Sequence, residues 1–256
     1  MPWYGIAIVT GLCFGSFANV LIHRVPRRLS IIKSASACTA CGAYIRPYDL
    51  LPVISWLVLH GRCRNCKMRI SALYPLVEIA CALLFVGMLT FTPTLSAIFL
   101  SLLGFNLLVV SVIDFNTQEI PDGLVVMAAV IGITWVSLGH FSEYFPHTPG
   151  FIGALLGILT GGLPLLIIDK LVQVVLKKDG FGYGDVKLMA VCGVFLGWQL
   201  TLVAFFFAFV AGGMYASFLL ITGRARRGDY IAFGPFLCTG TVAALWGGNA
   251  FVGIFF

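Results

Sequence analysis

Apolar runs long enough to cross a bilayer recur along almost the whole chain, and nothing else in the sequence constrains the fold as tightly. A spanning helix needs roughly 20 mostly apolar residues, within about 17 to 25. Eight segments are candidates: 3–22, 76–92, 97–113, 122–138, 150–174, 186–198, 200–222 and 231–254, the sixth of them short. The stretch 186–222 is too long for one crossing and is predicted to break near Gly197–Trp198. Backbone amides in hydrocarbon must be satisfied within the chain, which leaves helices as the local solution for such runs. Only 10% of residues are charged, against about 25% in soluble domains. The expected fold is an all-α polytopic membrane protein with about eight transmembrane helices.

Charge sets the expected orientation. The net charge of +6 does not point to nucleic acid, because nearly all the cations lie in short segments between apolar runs. Nine Lys and Arg fall in loop 23–75. Lys170, Lys177, Lys178 and Lys187 lie in or beside loop 175–185, and Arg224, Arg226 and Arg227 in loop 223–230. These account for all 16. The alternate loops, near 93–96, 139–149 and 199, contain none. The positive-inside rule therefore places 23–75, 114–121, 175–185 and 223–230 in the cytoplasm and both termini outside. The first run, Pro2 to Ile22, is followed rather than preceded by basic residues, the reverse of a removable signal, so it reads as a retained helix.

Loop 23–75 is the one sizeable extramembrane segment and carries Cys38-Thr-Ala-Cys41 and Cys63-Arg-Asn-Cys66. Two CxxC pairs at this separation can fill the four corners of a zinc tetrahedron. A pair of disulfides is disfavoured on a cytoplasmic face. A closed four-cysteine site leaves no position for substrate, so its expected role is to fold a small insertion with little apolar content. Cys13, Cys81, Cys192 and Cys238 lie within apolar helices and read as packing residues. The expected organisation is a first helix at 1–22, a zinc-binding loop at 23–75 and a transmembrane domain at 76–256.

Acids near a membrane core are costly and by default functional. The chain has ten. Asp49 and Glu143 lie in loops; Asp179 and Asp229 sit among basic loop residues; Asp169 adjoins Lys170 near a helix end. Glu78, in Tyr74-Pro-Leu-Val-Glu78, is read in the first turn of the second helix, where the macrodipole favours it. Asp122 follows Pro121 and reads first as a helix cap. Asp114 closes an apolar helix at the unfavourable end of the macrodipole, so something other than helix stability must account for it. Asp185 follows Gly180-Phe-Gly182-Tyr-Gly184 and leads into a helix, where it could cap. The glycines permit close backbone approach to a neighbouring helix or to an extended substrate. Asp114 and Asp185 are both expected at the cytoplasmic ends of helices. Two carboxylates at about 3 Å cannot both ionise, so one can act as base on water and the other as acid on a scissile carbonyl. Competing chemistries lack their parts. There is no HExxH motif, all four histidines lie in loops, and Ser16 has no nearby lysine and reads as a packing residue. Paired acids could also serve a proton-coupled carrier, although carriers bind near the midplane. A zinc-bearing membrane scaffold is a third reading.

These residues resemble those of the type IV prepilin peptidases, or leader peptidase/N-methyltransferases. The resemblance runs through Gly15-Ser-Phe-Ala-Asn19-Val with His23-Arg-Val-Pro26, the paired CxxC knuckles, and Tyr74-Pro75 with Glu78. It continues through Asp114 with Ile120-Pro121-Asp122 and through Gly182-Tyr-Gly184-Asp185-Val-Lys187-Leu. It implies an inner-membrane GxGD-type aspartyl peptidase with Asp114 and Asp185 as the catalytic pair, and Gly182, Gly184, Lys187 and Asp122 around them. Its substrates would be prepilins or pseudopilins, cut after a glycine that ends a short basic leader. It implies N-methylation of the new N-terminus with S-adenosylmethionine, linked to the zinc loop and the first two helices. Glu78, Gly15 and Asn19 are the candidates for that second site. Some relatives lack the zinc domain and only cleave; the four cysteines favour both activities here.

Overall fold

The computed structural model describes all residues except 1, 32–34, 93, 146–147, 177–181, 225–230 and 256. Lys33, Lys177, Lys178, Asp179, Gly180, Arg226, Arg227, Asp229 and His147 therefore lie outside the described residues. The helices are α1 (Pro2–Arg24), α2 (Ile54–Val58), α3 (Leu73–Phe91), α4 (Thr94–Thr117), α5 (Asp122–Phe141), α6 (Gly150–Leu176), α7 (Tyr183–Ile221) and α8 (Gly234–Phe255). Among the described residues the only β-pairing is two isolated bridges. Among the described residues, six helices are apolar and long enough to cross a membrane, counting α7 once. The chain forms two compact units, Met1–Thr92 and Pro93–Phe256.

In the first unit α1 and α3 pack antiparallel. A Cβ on Gly11 would meet the Ala82 Cα at 2.6 Å, and one on Gly15 the Glu78 Cα at 2.5 Å. Asn19 donates from Nδ2 to the Tyr74 carbonyl at 3.1 Å. Gly11, Gly15 and Asn19 recur every four residues and so share a face, a small-xxx-small seam that lets backbones touch without a hydrophobic driving force. Phe14 packs on Phe85 at the same crossing (centroids 5.4 Å apart). This seam places α3 with α1, whereas the sequence reading groups 76–256 together. Apolar runs mark crossings but not which crossings are neighbours.

In the second unit α6 and α7 meet even more closely. A Cβ on Gly157 would lie 2.0 Å from the Gly193 carbonyl oxygen, and one on Gly161 2.2 Å from that of Met189. The expected break in 186–222 is at Gly197, whose φ of 67° and ψ of −179° interrupt α7. The chain reverses there. Gly212 sits against Phe233 and Phe236, Gly240 against Ala204 and Ala208, and Gly248 against Leu200, so the second arm of α7 runs antiparallel to α8. The first arm runs parallel to α8, because Asp185 lies near Asp114, which contacts Gly234, and Cys192 hydrogen-bonds to Thr241 further along. The two arms are therefore antiparallel to each other. Among the described residues these two arms and α1, α3, α4, α5, α6 and α8 make eight apolar helical segments. Asn106 ties α4 to α5 through Nδ2 and the Leu124 carbonyl (2.9 Å), and Trp135 of α5 stacks on Phe195 of α7.

Candidate active site and metal centre

Helix boundaries decide what each acid does. α4 continues to Thr117 and ends where Gln118 adopts a φ of 57°, so Asp114 lies within the last turn rather than beyond it. α7 begins at Tyr183 with Gly182 as its N-cap, which puts Asp185 at the third helical position, not at the cap the sequence suggests. From there its carboxylate accepts the Gly182 N–H, while its own N–H donates to the Gly182 carbonyl at 3.0 Å. The carboxylate's bond back to the N-cap N–H is one half of a capping box; Gly182 has no side chain to supply the other half. Asp122 is not a cap either. Pro121 is the N-cap of α5, and the Asp122 carboxylate is turned to Lys187 Nζ at 2.9 Å. That pair ties the N-terminus of α5 to that of α7, and Lys187 also lies over the Tyr183 ring.

Asp114 and Asp185 come together in the second unit. Their exposures are 5% and 4%, and each lies within electrostatic reach of the other. The Asp114 Oδ2 accepts the Gly234 N–H at 3.0 Å. Gly234 opens α8, so the carboxylate that is misplaced at the C-terminus of α4 is well placed at the positive N-terminus of α8. A Cβ on Gly234 would lie 2.6 Å from Asp114 Oδ2, so only glycine permits this approach. Gly184 plays the corresponding part on the other side, where a Cβ would meet Ile120 Cβ at 2.9 Å. The sequence reading misses Gly234. Its signal is present nonetheless: a Gly-Pro pair opening a helix straight after a basic loop. Cys238, one turn further along α8, is buried within electrostatic reach of both carboxylates. It packs as expected, and so do buried Cys81 and Cys192, whereas Cys13 is exposed.

The first unit holds the other predicted residues. Glu78 lies beyond the first turn of α3, not within it, and is 7% exposed. Its Oε2 accepts the Val53 N–H at 2.7 Å, and Ser16 is a second partner. Gly15 faces the Glu78 backbone, and Asn19 ties the start of α3 one turn away. The three candidates are thus on one seam. Among them only Glu78 carries a charge.

The four loop cysteines converge, with their sulfurs all within 4.8 Å of one another and Cys38 and Cys66 Sγ at 3.8 Å. Thiolates about 2.3 Å from a zinc ion in a tetrahedron stand about 3.8 Å apart, so this cluster could hold a metal ion. The two knuckles are built alike. Cys38 and Cys63 donate N–H to Ala43 and Met68, and accept from Gly42 and Lys67, both at positive φ. None of the eight cysteines is in a disulfide. Arg64 of the second knuckle grips Asp49 with two hydrogen bonds of 2.8 and 2.7 Å and holds that carboxyl below its usual range. In α6 the Asp169 carboxylate accepts Gln173 Nε2 at 2.9 Å.

The chain is 35% identical to a prepilin leader peptidase/N-methyltransferase of Pseudomonas putida, over 94% of this chain and 90% of that one. It belongs to the type IV leader peptidase family. The family model of that name matches residues 98–217, and one for the bacterial peptidase A24 N-terminal domain matches 9–92. The second match ends where the first structural unit ends. Relatives with the same name in Stutzerimonas stutzeri and Pseudomonas aeruginosa are 36% and 35% identical, over 94% of this chain and 90% and 89% of theirs. No solved structure matches.

Proposed function

We propose that this chain is a bifunctional prepilin leader peptidase and N-methyltransferase of a bacterial cytoplasmic (inner) membrane, with Asp114 and Asp185 as its peptidase pair. One observation carries the reading: two buried carboxylates, contributed by different helices, lie within electrostatic reach of each other while each is held by a backbone N–H at a helix start. A pair that shares one proton supplies both catalytic roles. The ionised member takes a proton from water, whose oxygen attacks the scissile carbonyl. The protonated member donates to the carbonyl oxygen, and collapse of the tetrahedral species passes a proton to the leaving amine. The Gly234 and Gly182 N–H groups orient the carboxylates; Asp122 and Lys187 brace the helix that carries Asp185. The substrates are prepilins or pseudopilins, cut after the glycine that ends a short basic leader at the cytoplasmic face. Both termini of the enzyme lie outside.

Methyl transfer belongs to the first unit. S-adenosylmethionine supplies a methyl group on a cationic sulfonium, and Glu78 is the carboxylate that would face that cation or the substrate's N-terminal ammonium, with Gly15 and Asn19 shaping the seam. Zinc on Cys38, Cys41, Cys63 and Cys66 has a structural role. The test is incubation of the purified chain with a prepilin and methyl-labelled S-adenosylmethionine, scoring shortening and label separately. Shortening followed by label on the shortened product is expected. A prepilin that stays full length overturns the peptidase reading, and shortening without label overturns the methyltransferase reading.

A further inference from the structure

Within the polar loop between α1 and α3 runs Leu50-Leu-Pro-Val-Ile-Ser-Trp-Leu-Val-Leu59, ten residues without a charge. A run of roughly this length is too short to span a bilayer and suits a buried, re-entrant or interfacial segment. It is not buried. Leu51, Ile54, Leu57 and Val58 are 52%, 57%, 59% and 65% exposed. Its depth is fixed by one hydrogen bond, from the Val53 N–H to Glu78. Glu78 lies five residues into α3, about 7 to 8 Å along the helix axis from its start. Leu76 and Ile79, at about the same level of α3, and Leu83, about 7 to 8 Å further along, are themselves exposed apolar side chains on a helix long enough to cross a membrane. The exposed face of 50–59 therefore continues a lipid-facing surface.

The backbone of the segment is arranged as such a location demands, since non-helical amides at membrane depth need partners within the protein. Ser55, Leu57 and Leu59 donate N–H to Leu51, Val53 and Ser55, and Ile54 donates to Pro52. The Ser55 hydroxyl donates to the Leu51 carbonyl, and Trp56 Nε1 to that of Ile70. Val53 takes a φ of 60° and ψ of −50°, a strained conformation for a β-branched residue. That tight turn sends its N–H to Glu78, the one partner outside the loop. Just past the run the chain turns basic at His60, Arg62, Arg64, Lys67 and Arg69. A cavity of about 420 Å³ there is lined by Leu59, His60, Arg62, Cys63 and Lys67. Cations at the edge of an inserted segment match the anionic headgroups of a cytoplasmic leaflet.

We propose that residues 50–59 form a re-entrant segment immersed in the bilayer, its apolar face against acyl chains and its basic flank against anionic lipid phosphates. The test places photoreactive benzoylphenylalanine, one site at a time, at Leu57 and Val58 of the full chain in phosphatidylethanolamine and phosphatidylglycerol vesicles. Leu83 serves as the lipid-facing reference and Tyr44, at the first knuckle, as the loop reference. After illumination, mass spectrometry is expected to find lipid adducts at Leu57 and Val58 in yields near that of Leu83 and several-fold above that of Tyr44. Yields at the Tyr44 level, or adducts to protein in place of lipid, overturn the proposal. Illumination acts on the assembled chain, so the result does not depend on a destabilising substitution.

Discussion

The two units solve the same packing problem and end with different chemistry. Each joins antiparallel helices through glycines that bring backbones into contact, Gly11 and Gly15 in the first, Gly157, Gly161 and Gly193 in the second. Each buries carboxylate where a backbone N–H can hold it. In the first unit a single acid, Glu78, is held by Val53 and Ser16. In the second, two buried acids lie within electrostatic reach of each other, so charge on one opposes charge on the other. A lone carboxylate with fixed donors is suited to holding a cation. An interacting pair can hold a proton and move it. The proposed function rests on this contrast, with binding of a cationic group in one unit and acid–base cleavage in the other.

Substitutions that affect one unit and spare the other are the way to break this contrast. The largest expected effect is from Asp114→Asn or Asp185→Asn, which removes one half of the proton exchange and should lower leader cleavage by about 10⁴-fold or more. Methylation of an already shortened pilin should persist in both variants. Glu78→Gln keeps an acceptor for Val53 but removes the charge; methyl incorporation should fall by about 10 to 10²-fold while the cleavage rate is retained. Cleavage and methylation falling together in Glu78→Gln would show that the units do not divide the work. Gly234→Ala places a methyl group against Asp114 Oδ2, and displacement on the scale of an ångström should slow cleavage by about 10²-fold. Cys38→Ser should reduce bound zinc to near zero by elemental analysis and open the 35–70 loop to protease. Full metal content in that variant would remove the structural role of the cluster. The smallest effect is expected from Lys187→Ala. Its pair with Asp122 is solvent-exposed and worth about 0.2 to 1 kcal/mol, so thermal stability should drop slightly at low salt and not at high salt.

Much of this arrangement is legible in the residues themselves. Hydropathy locates the crossings, including the reversal at Gly197, because lipid forces each crossing to be a long uncharged helix. The cysteine spacing locates the knuckles, since tetrahedral ligation needs two pairs that can close on one point. Asp114 stands out as an acid at the wrong end of its helix. What cannot be read is the remedy, because Gly234 lies 120 positions away and lateral contacts between helices leave no periodic trace. The partner of Glu78 is hidden for the same reason: a strained turn at Val53 follows from packing, not from propensity. The start of α7 lies three residues before the sequence reading puts it, which moves Asp185 inside the helix, and Asp122 is the first residue of α5 with Pro121 as the N-cap.

The division of labour is tested most directly by supplying Asp185→Asn, reconstituted in vesicles, with a full-length prepilin and in parallel with the same pilin lacking its leader, both with labelled S-adenosylmethionine. The expected result is an uncleaved prepilin alongside normal labelling of the shortened pilin. Cleavage of the prepilin by this variant at the rate of the unsubstituted enzyme would contradict the assignment of the aspartate pair.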